Sequence, residues 1–212
     1  GYPDGLIADA AVATLAELSE LDQPFFYALG FFKPHLPFNA PKKYWDLYDP
    51  ADIDLSNVDP VSRSRGEFFA SYGITPEEMD EDESKLREVI HGYFASVSYI
   101  DAQVGKVLHA LDELGLAENT IVVLWGDHGF HLGELGYWGK HTLHEFSLRS
   151  VFMMRTPGMP KAGEATHSIT GSIDIYPTLV ELAGLPMPDH LDGHSFAEVL
   201  HDPQADPIGF AG

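Results

Sequence analysis

The stretch IDAQVGKVLHALDELGLAENTIVVLWGDHG, residues 100–129, changes its periodicity once, and that change decides the fold. Ile100, Val104, Val107, Leu108, Leu111 and Leu114 recur at three- and four-residue steps, the mark of one apolar helical stripe. Phe94 and Val97 extend the stripe backwards, so the spacing predicts a helix over 81–114 with Gly115 as its stop. The period then breaks. NTIVVLWG (119–126) is a dense β-branched run closed by glycine and reads as a buried strand. Asp127 and His128 follow at once, between Gly126 and Gly129.

The same alternation extends outward in both directions. GLIADAAVATLAELSE (5–20) places Ala8, Ala11, Val12, Leu15 and Leu18 on one helical side. FFYALGFF (25–32) is too short for a typical helix and reads as a second buried strand, ended by Lys33-Pro34 and Leu36-Pro37. Residues 39–80 are rich in Pro, Asp, Ser and Gly, with Tyr44, Trp45, Tyr48, Phe68 and Phe69 as aromatic pins, and predict a long excursion with little regular structure. SVFMMRTPG (150–158) reads as a third strand. GSIDIYPTLVELAGLP (171–186) returns to helical spacing, with Pro177 near its start and Gly184 near its end. Helix, strand, helix, strand, loop, strand, helix is an α/β order, and it predicts a largely parallel sheet flanked by helices.

Composition narrows the function. The chain has 212 residues, 44% of them hydrophobic, enough for one substantial core. Twelve Lys and Arg against 33 Asp and Glu give a net charge of −21, which opposes long-range attraction to nucleic acid or an anionic membrane. No apolar run is long enough for a membrane span, and no basic-then-apolar leader opens the chain. The absence of cysteine excludes disulfides, thiolate metal sites and a cysteine nucleophile within this segment.

Open α/β sheets bind ligands beyond the carboxyl ends of their strands. Two polar clusters take such positions: Lys33 and His35 after the 25–32 run, and Asp127 and His128 after the 119–126 run. An Asp-His pair there has two readings, a capped turn or an oxygen and an imidazole offered to a divalent cation. His141 and His144 are spaced i, i+3, but HTLHE is not the HExxH zinc helix, so a zinc protease is not indicated. His131, His141 and His144 read as loop or supporting residues. Lys140, in a glycine- and aromatic-rich loop, is a solvated charge unless an anion sits nearby, where it becomes a point-charge clamp.

These residues together resemble the sulfatase family of the alkaline phosphatase superfamily. FFYALGFFKPHLPFNAPKKYWDLY resembles its strand and Pro-His-x-Pro loop. YFASVSYIDAQVGKVLHALDELGLAENTIVVLWGDHGFHLGELGYWGKHTLHE resembles its long helix, strand and metal loop, and SIDIYPTLVELAGLPMPDHLDGHSF the helix and turn that follow. The likeness spans roughly residues 4–200, and the KPHLPF and GDHGFHLGE wording is most similar to the branch containing iduronate-2-sulfatases.

The resemblance implies a sulfuric ester hydrolase. It makes Asp127 and His128 the metal residues, for one Ca²⁺ that holds the substrate sulfate, although many sulfatases carry Asn in place of His128. Lys140 falls on the lysine that contacts the sulfate, and His35 on the histidine beside the leaving group; some relatives carry a histidine where Phe32 stands. Ca²⁺ and Lys140 would draw charge from the sulfate, and a protonated His35 would stabilise the departing alkoxide. The family nucleophile is a formylglycine made from a Cys or Ser in a C/S-x-P-x-R motif. That motif is absent here, as is the aspartate pair beside it, and SRSRG (62–66) has neither the proline nor the right order.

Residues 1–212 are therefore expected to be the C-terminal part of a sulfatase catalytic domain, without its nucleophile-bearing part and inactive alone. The implied partners are a sulfated small molecule or saccharide and the remainder of the same polypeptide. The implied location is extracytoplasmic: secreted, periplasmic or lysosomal. Two alternatives stand beside this, a metal-dependent phosphodiesterase or phosphatase of the same superfamily and a non-catalytic anion-binding fragment.

Overall fold

The computed structural model describes residues 2–59 and 83–205. The part of the predicted excursion that carries Phe68, Phe69 and SRSRG lies outside them. The chain divides into two compact units, residues 1–117 with 128–149, and residues 118–127 with 150–212.

Among the described residues the first unit is built on α1 (Pro3–Ser19) and the long α3 (Glu83–Glu113), and α2 (Lys42–Trp45), one helical turn in length, lies between them in sequence. Proline at the first position of α1 costs no hydrogen bond, because that N–H has no partner in any helix. Ala8, Ala11 and Leu15 are buried on α1, as the spacing predicts. Tyr99 of α3 closes the contact, its hydroxyl accepting the Gly5 N–H at 2.6 Å. A Cβ on Gly5 would lie 3.1 Å from that oxygen, so the small residue sets how closely the helices approach. Ile53, Leu86, Ile90 and Trp138 form one buried cluster, and Ala40, Tyr44, Ala95 and Tyr99 another. Truncating a core side chain such as Trp138 to alanine costs about 3–5 kcal/mol in comparable sites. Gly115 ends α3 at φ +69°, with the Leu116 N–H returning to the Leu111 carbonyl at 2.9 Å.

The second unit holds strands β1 (Val122–Trp125) and β4 (Phe152–Arg155) and helices α5 (Ile175–Leu182) and α6 (Ala197–His201). Strands β2 (His131–Leu132) and β3 (Trp138–Gly139) and the short helix α4 (Glu145–Leu148) belong to the first unit. The helices at 5–20, 81–114 and 171–186 and the strands at 119–126 and 150–158 all form, each a few residues shorter or shifted.

Two expectations are not met among the described residues. The sheet is not seen as largely parallel: β1 pairs antiparallel with β4, Val122 opposite Arg155 and Trp125 opposite Phe152, and β2 pairs antiparallel with β3. Nor is 25–32 a strand of either sheet among the described residues. The run is extended, and it alternates half-buried Phe25, Tyr27, Leu29 and Phe31 with exposed Phe26, Ala28, Gly30 and Phe32. Its strand-like period is therefore real, but one face is open: Phe26 is 85% exposed and Phe32 68%. The apolar run predicted a segment buried on both faces, whereas alternation in exposure marks one covered on a single side.

Candidate functional site

Gly129 explains how the 127–149 segment can fold back on itself. Its N–H donates to the Ser147 carbonyl at 2.7 Å, and a Cβ there would lie 2.1 Å from the Phe146 carbonyl oxygen and 2.8 Å from that of Arg149. No other residue fits that approach. Gly133, at φ +109°, then reverses the chain into the two-residue β2–β3 ladder, in which His131 stands opposite Gly139 and Leu132 opposite Trp138. Lys140 emerges directly from β3.

The loop brings Lys140 back to His128. The Lys140 ammonium lies 2.7 Å from Nε2 of His128, whose Nδ1 lies 2.8 Å from the Gly129 carbonyl oxygen. A carbonyl can only accept, so Nδ1 carries the proton and Nε2 presents its lone pair to the lysine. Both side chains are half-buried. A cation and an imidazole that the sequence reading gave separate roles thus share one contact, formed across twelve residues of chain.

Asp127 is exposed and follows β1, which the Gly126 N–H extends by donating to the Val151 carbonyl at 2.9 Å. Its carboxylate suits a hard divalent cation, and the His128 Nε2 lone pair is a second donor, at present given to Lys140. Among the described residues no three His, Asp or Glu side chains are grouped as a metal cage. The Asp127 carboxylate by itself fits one place in a Ca²⁺ shell, which takes six to eight oxygens in general, and an imidazole offers nitrogen instead.

His35 is exposed on the loop after the 25–32 run, its Nδ1 2.7 Å from the Leu36 carbonyl oxygen and its backbone N–H donating to the Phe32 carbonyl at 2.9 Å. The loop is pinned from two sides. Asp4, 1% exposed in the first turn of α1, accepts the N–H groups of Phe32 at 2.7 Å and Lys33 at 3.2 Å. Lys33 turns its ammonium onto the carbonyls of His35, at 3.0 Å, and Pro37. Desolvation by burial pulls the Lys33 pKa below its usual value, against the opposing pull of Asp4. The peptides Lys33-Pro34 and Leu36-Pro37 are both cis.

The His35 loop and the His128 loop meet through rings. Phe38 packs edge-on against Phe130 at 5.8 Å and Tyr93 at 5.4 Å, and Tyr93 stacks on Phe130 at 5.6 Å. Of the other histidines, His131 is wholly buried, whereas His141 and His144 are exposed. Sequence reasoning missed Asp4 and Thr142. An acid in a first helical turn is ordinary, so nothing local singles out Asp4, and Thr142 is masked by the histidines around it.

Residues 1–185 match the family model described as Sulfatase. The chain is 34% identical to the iduronate 2-sulfatase of Mus musculus over 92% of its own length and 42% of that protein's. The phosphonate monoester hydrolase of Silicibacter pomeroyi superposes with a TM-score of 0.83 at 25% identity, over 98% of this chain and 43% of the other. A protein solved in complex with its substrate D-glucosamine-2-N,6-O-disulfate shares the fold with a TM-score of 0.79 at 22% identity, over 98% and 54%. The chain thus spans about two fifths of the mouse protein, and over that span it belongs to the sulfatase family.

Proposed function

We propose that the protein containing this chain hydrolyses sulfate esters of sugars, and that this segment supplies the charge-handling side of the site. The contact between Lys140 and His128 carries the reading. It sets a cation and an oriented imidazole together at the end of a loop that one glycine makes possible, within a chain of sulfatase sequence. Lys140 meets the sulfate and withdraws charge as a nucleophile adds to sulfur. His35, on the loop braced by Asp4 and Lys33, gives a proton to the departing sugar oxygen. Asp127 and His128 are the residues here that would hold Ca²⁺, which when bound supplies Lewis-acid polarisation of a sulfate oxygen.

The nucleophile, a formylglycine, belongs to polypeptide outside residues 1–212, and the chain is one part of a larger catalytic domain. The open face of the 25–32 run, on which Phe26 and Phe32 are exposed in an otherwise apolar segment, supports that reading. In the complete domain this run joins a larger sheet of parallel strands. The mouse relative's name and the glucosamine disulfate complex support a sulfated saccharide as substrate. An extracytoplasmic location follows the family, and among the described residues no helix is long and apolar enough to cross a membrane.

A second reading, hydrolysis of a phosphonate or phosphate ester, is favoured by the likeness to the Silicibacter pomeroyi enzyme. Turnover of matched aryl sulfate and aryl phosphonate esters by the complete protein separates them. Preference for the sulfate ester, lost on Lys140→Ala, upholds the first reading. Preference for the phosphonate replaces it, and turnover of neither leaves a non-catalytic anion-binding role.

A further inference from the structure

We propose that His131 is a positioning residue for Lys140 that acts through Thr142, an inference resting on the reading of Lys140 as the group that meets the sulfate. His131 holds the chain on both sides of that lysine. Its backbone is paired with Gly139, one residue before, and its ring Nε2 lies 2.9 Å from the hydroxyl of Thr142, two residues after. A lysine on a flexible stem is aimed by fixing the backbone at its root, and these two contacts fix it from either end.

The hydrogen bonds have one consistent direction. His131 Nδ1 lies 3.2 Å from the Glu134 carbonyl oxygen, so Nδ1 donates and Nε2 accepts the Thr142 hydroxyl proton. Thr142 Oγ1 in turn lies 2.9 Å from the Ser147 hydroxyl and takes the His144 N–H at 3.3 Å. Desolvation by burial lowers the His131 pKa, which favours this neutral tautomer. The rings of Tyr137, His144 and Phe146 pack around the imidazole at 5.6, 5.9 and 5.3 Å and keep it from turning.

The surroundings argue that direction matters as well as bulk. In a box of aromatic rings an apolar side chain would fill the space, but it would leave the position of residue 142 undefined along the loop. A buried polar chain that is satisfied at each step gives one geometry. The geometry it gives ends at Lys140, 2.7 Å from His128.

The test uses the intact chain with ¹⁵N-labelled histidine, because the Nε2 resonance of His128 reports whether its lone pair accepts from Lys140. Thr142→Val keeps the shape and removes the hydroxyl; Thr142→Ser keeps the hydroxyl. The expected result is that Thr142→Val stays folded by its amide spectrum while His128 Nε2 shifts towards its position in Lys140→Ala, and that Thr142→Ser restores it. Affinity for inorganic sulfate should fall about tenfold in Thr142→Val, on the scale of one misplaced hydrogen bond. A His128 signal unchanged by Thr142→Val overturns the inference. So does outright unfolding, which would make the pair a general support of the fold. The sulfate arm judges the other reading separately: if Lys140→Ala binds sulfate as well as the unaltered chain, Lys140 is not the sulfate contact, whatever the imidazole signal shows.

Discussion

The corner around Asp174 and the loop around His128 both gather polar side chains beside closely packed glycines, and they use their hydrogen bonds in different ways. Asp174, 2% exposed just before α5, accepts the N–H of Gly171 at 2.8 Å with one carboxylate oxygen and that of His194 at 2.8 Å with the other. Thr178, one turn on, donates to the Asp174 carbonyl at 2.7 Å and accepts the Phe196 N–H at 3.0 Å. Every one of these partners is backbone. At His128 and His131 the decisive partners are side chains, Lys140 and Thr142. A polar group that ends on backbone amides fixes the path of the chain, whereas one that ends on another side chain fixes where a charge or a lone pair points. The first kind should govern stability and the second chemistry.

The largest effect should come from Asp174→Ala. It orphans two part-buried N–H groups that now meet a buried carboxylate, and each such charge-assisted bond is worth about 1.5–3 kcal/mol. A loss of about 3–4 kcal/mol in urea unfolding of this chain is expected, with inorganic sulfate affinity unchanged in the folded fraction. A loss below about 1 kcal/mol would mean that the corner does not hold the turn at 190–196 onto α5.

Lys140→Ala should do the opposite. If Lys140 meets the sulfate as proposed, removing this cation costs about 2–4 kcal/mol of barrier, or about 10²–10³ in rate, in the complete protein. Stability should move by no more than about 0.5 kcal/mol, the usual range for a partly exposed site. The same variant probes the metal residues, because an imidazole lone pair serves one partner at a time. If His128 is a ligand, calcium affinity should rise in Lys140→Ala and fall in Asp127→Ala, with excess calcium partly restoring the latter. Unchanged calorimetric affinity in both would remove Asp127 and His128 from the metal site.

Thr178→Val tests the structural corner at smaller scale. It leaves the buried Phe196 N–H without its acceptor and should cost about 1–2 kcal/mol, read as a lower urea midpoint at constant slope.

The sequence carried these two regions unequally. The α5 helix was legible from its spacing and from Pro177 and Gly184, but the role of Asp174 was not, because its partner His194 lies twenty residues away. The 127–140 loop was legible as a glycine-rich collection of acid, imidazole and amine, with separate roles implied for Lys140 and His128 through likeness to a family, but their contact was not legible, because it spans twelve residues of chain. Periodicity reports one segment against a generic core, so it found α1, α3, β1 and β4. It could not report which strands pair, and β4 joined β1 antiparallel. For the same reason the 25–32 run was misjudged: its composition said buried, while only the alternation of Phe25 with Phe26 and Phe31 with Phe32 in the folded chain reveals the open face.

The smallest effect should be the pH dependence contributed by His131. Desolvation by burial lowers its pKa; the Glu134 carbonyl and carboxylate raise it in part, and the neighbouring His144 adds to the lowering. The rings of Tyr137 and Phe146 and the Thr142 hydroxyl complete the contacts of the imidazole. The folded state therefore binds this proton less readily than the unfolded chain, whose histidines titrate near about 6.5. Stability is full above that value and falls as pH drops through it towards the lowered folded pKa, because the unfolded state takes up the proton first. One proton limits the slope to about 1.4 kcal/mol per pH unit. Urea midpoints between about pH 7.5 and 5 should decline more steeply in the unaltered chain than in His131→Phe, which keeps the ring volume and cannot titrate. Parallel curves would show that burial does not lower the His131 pKa in the folded chain, and the pH dependence assigned to it would fall.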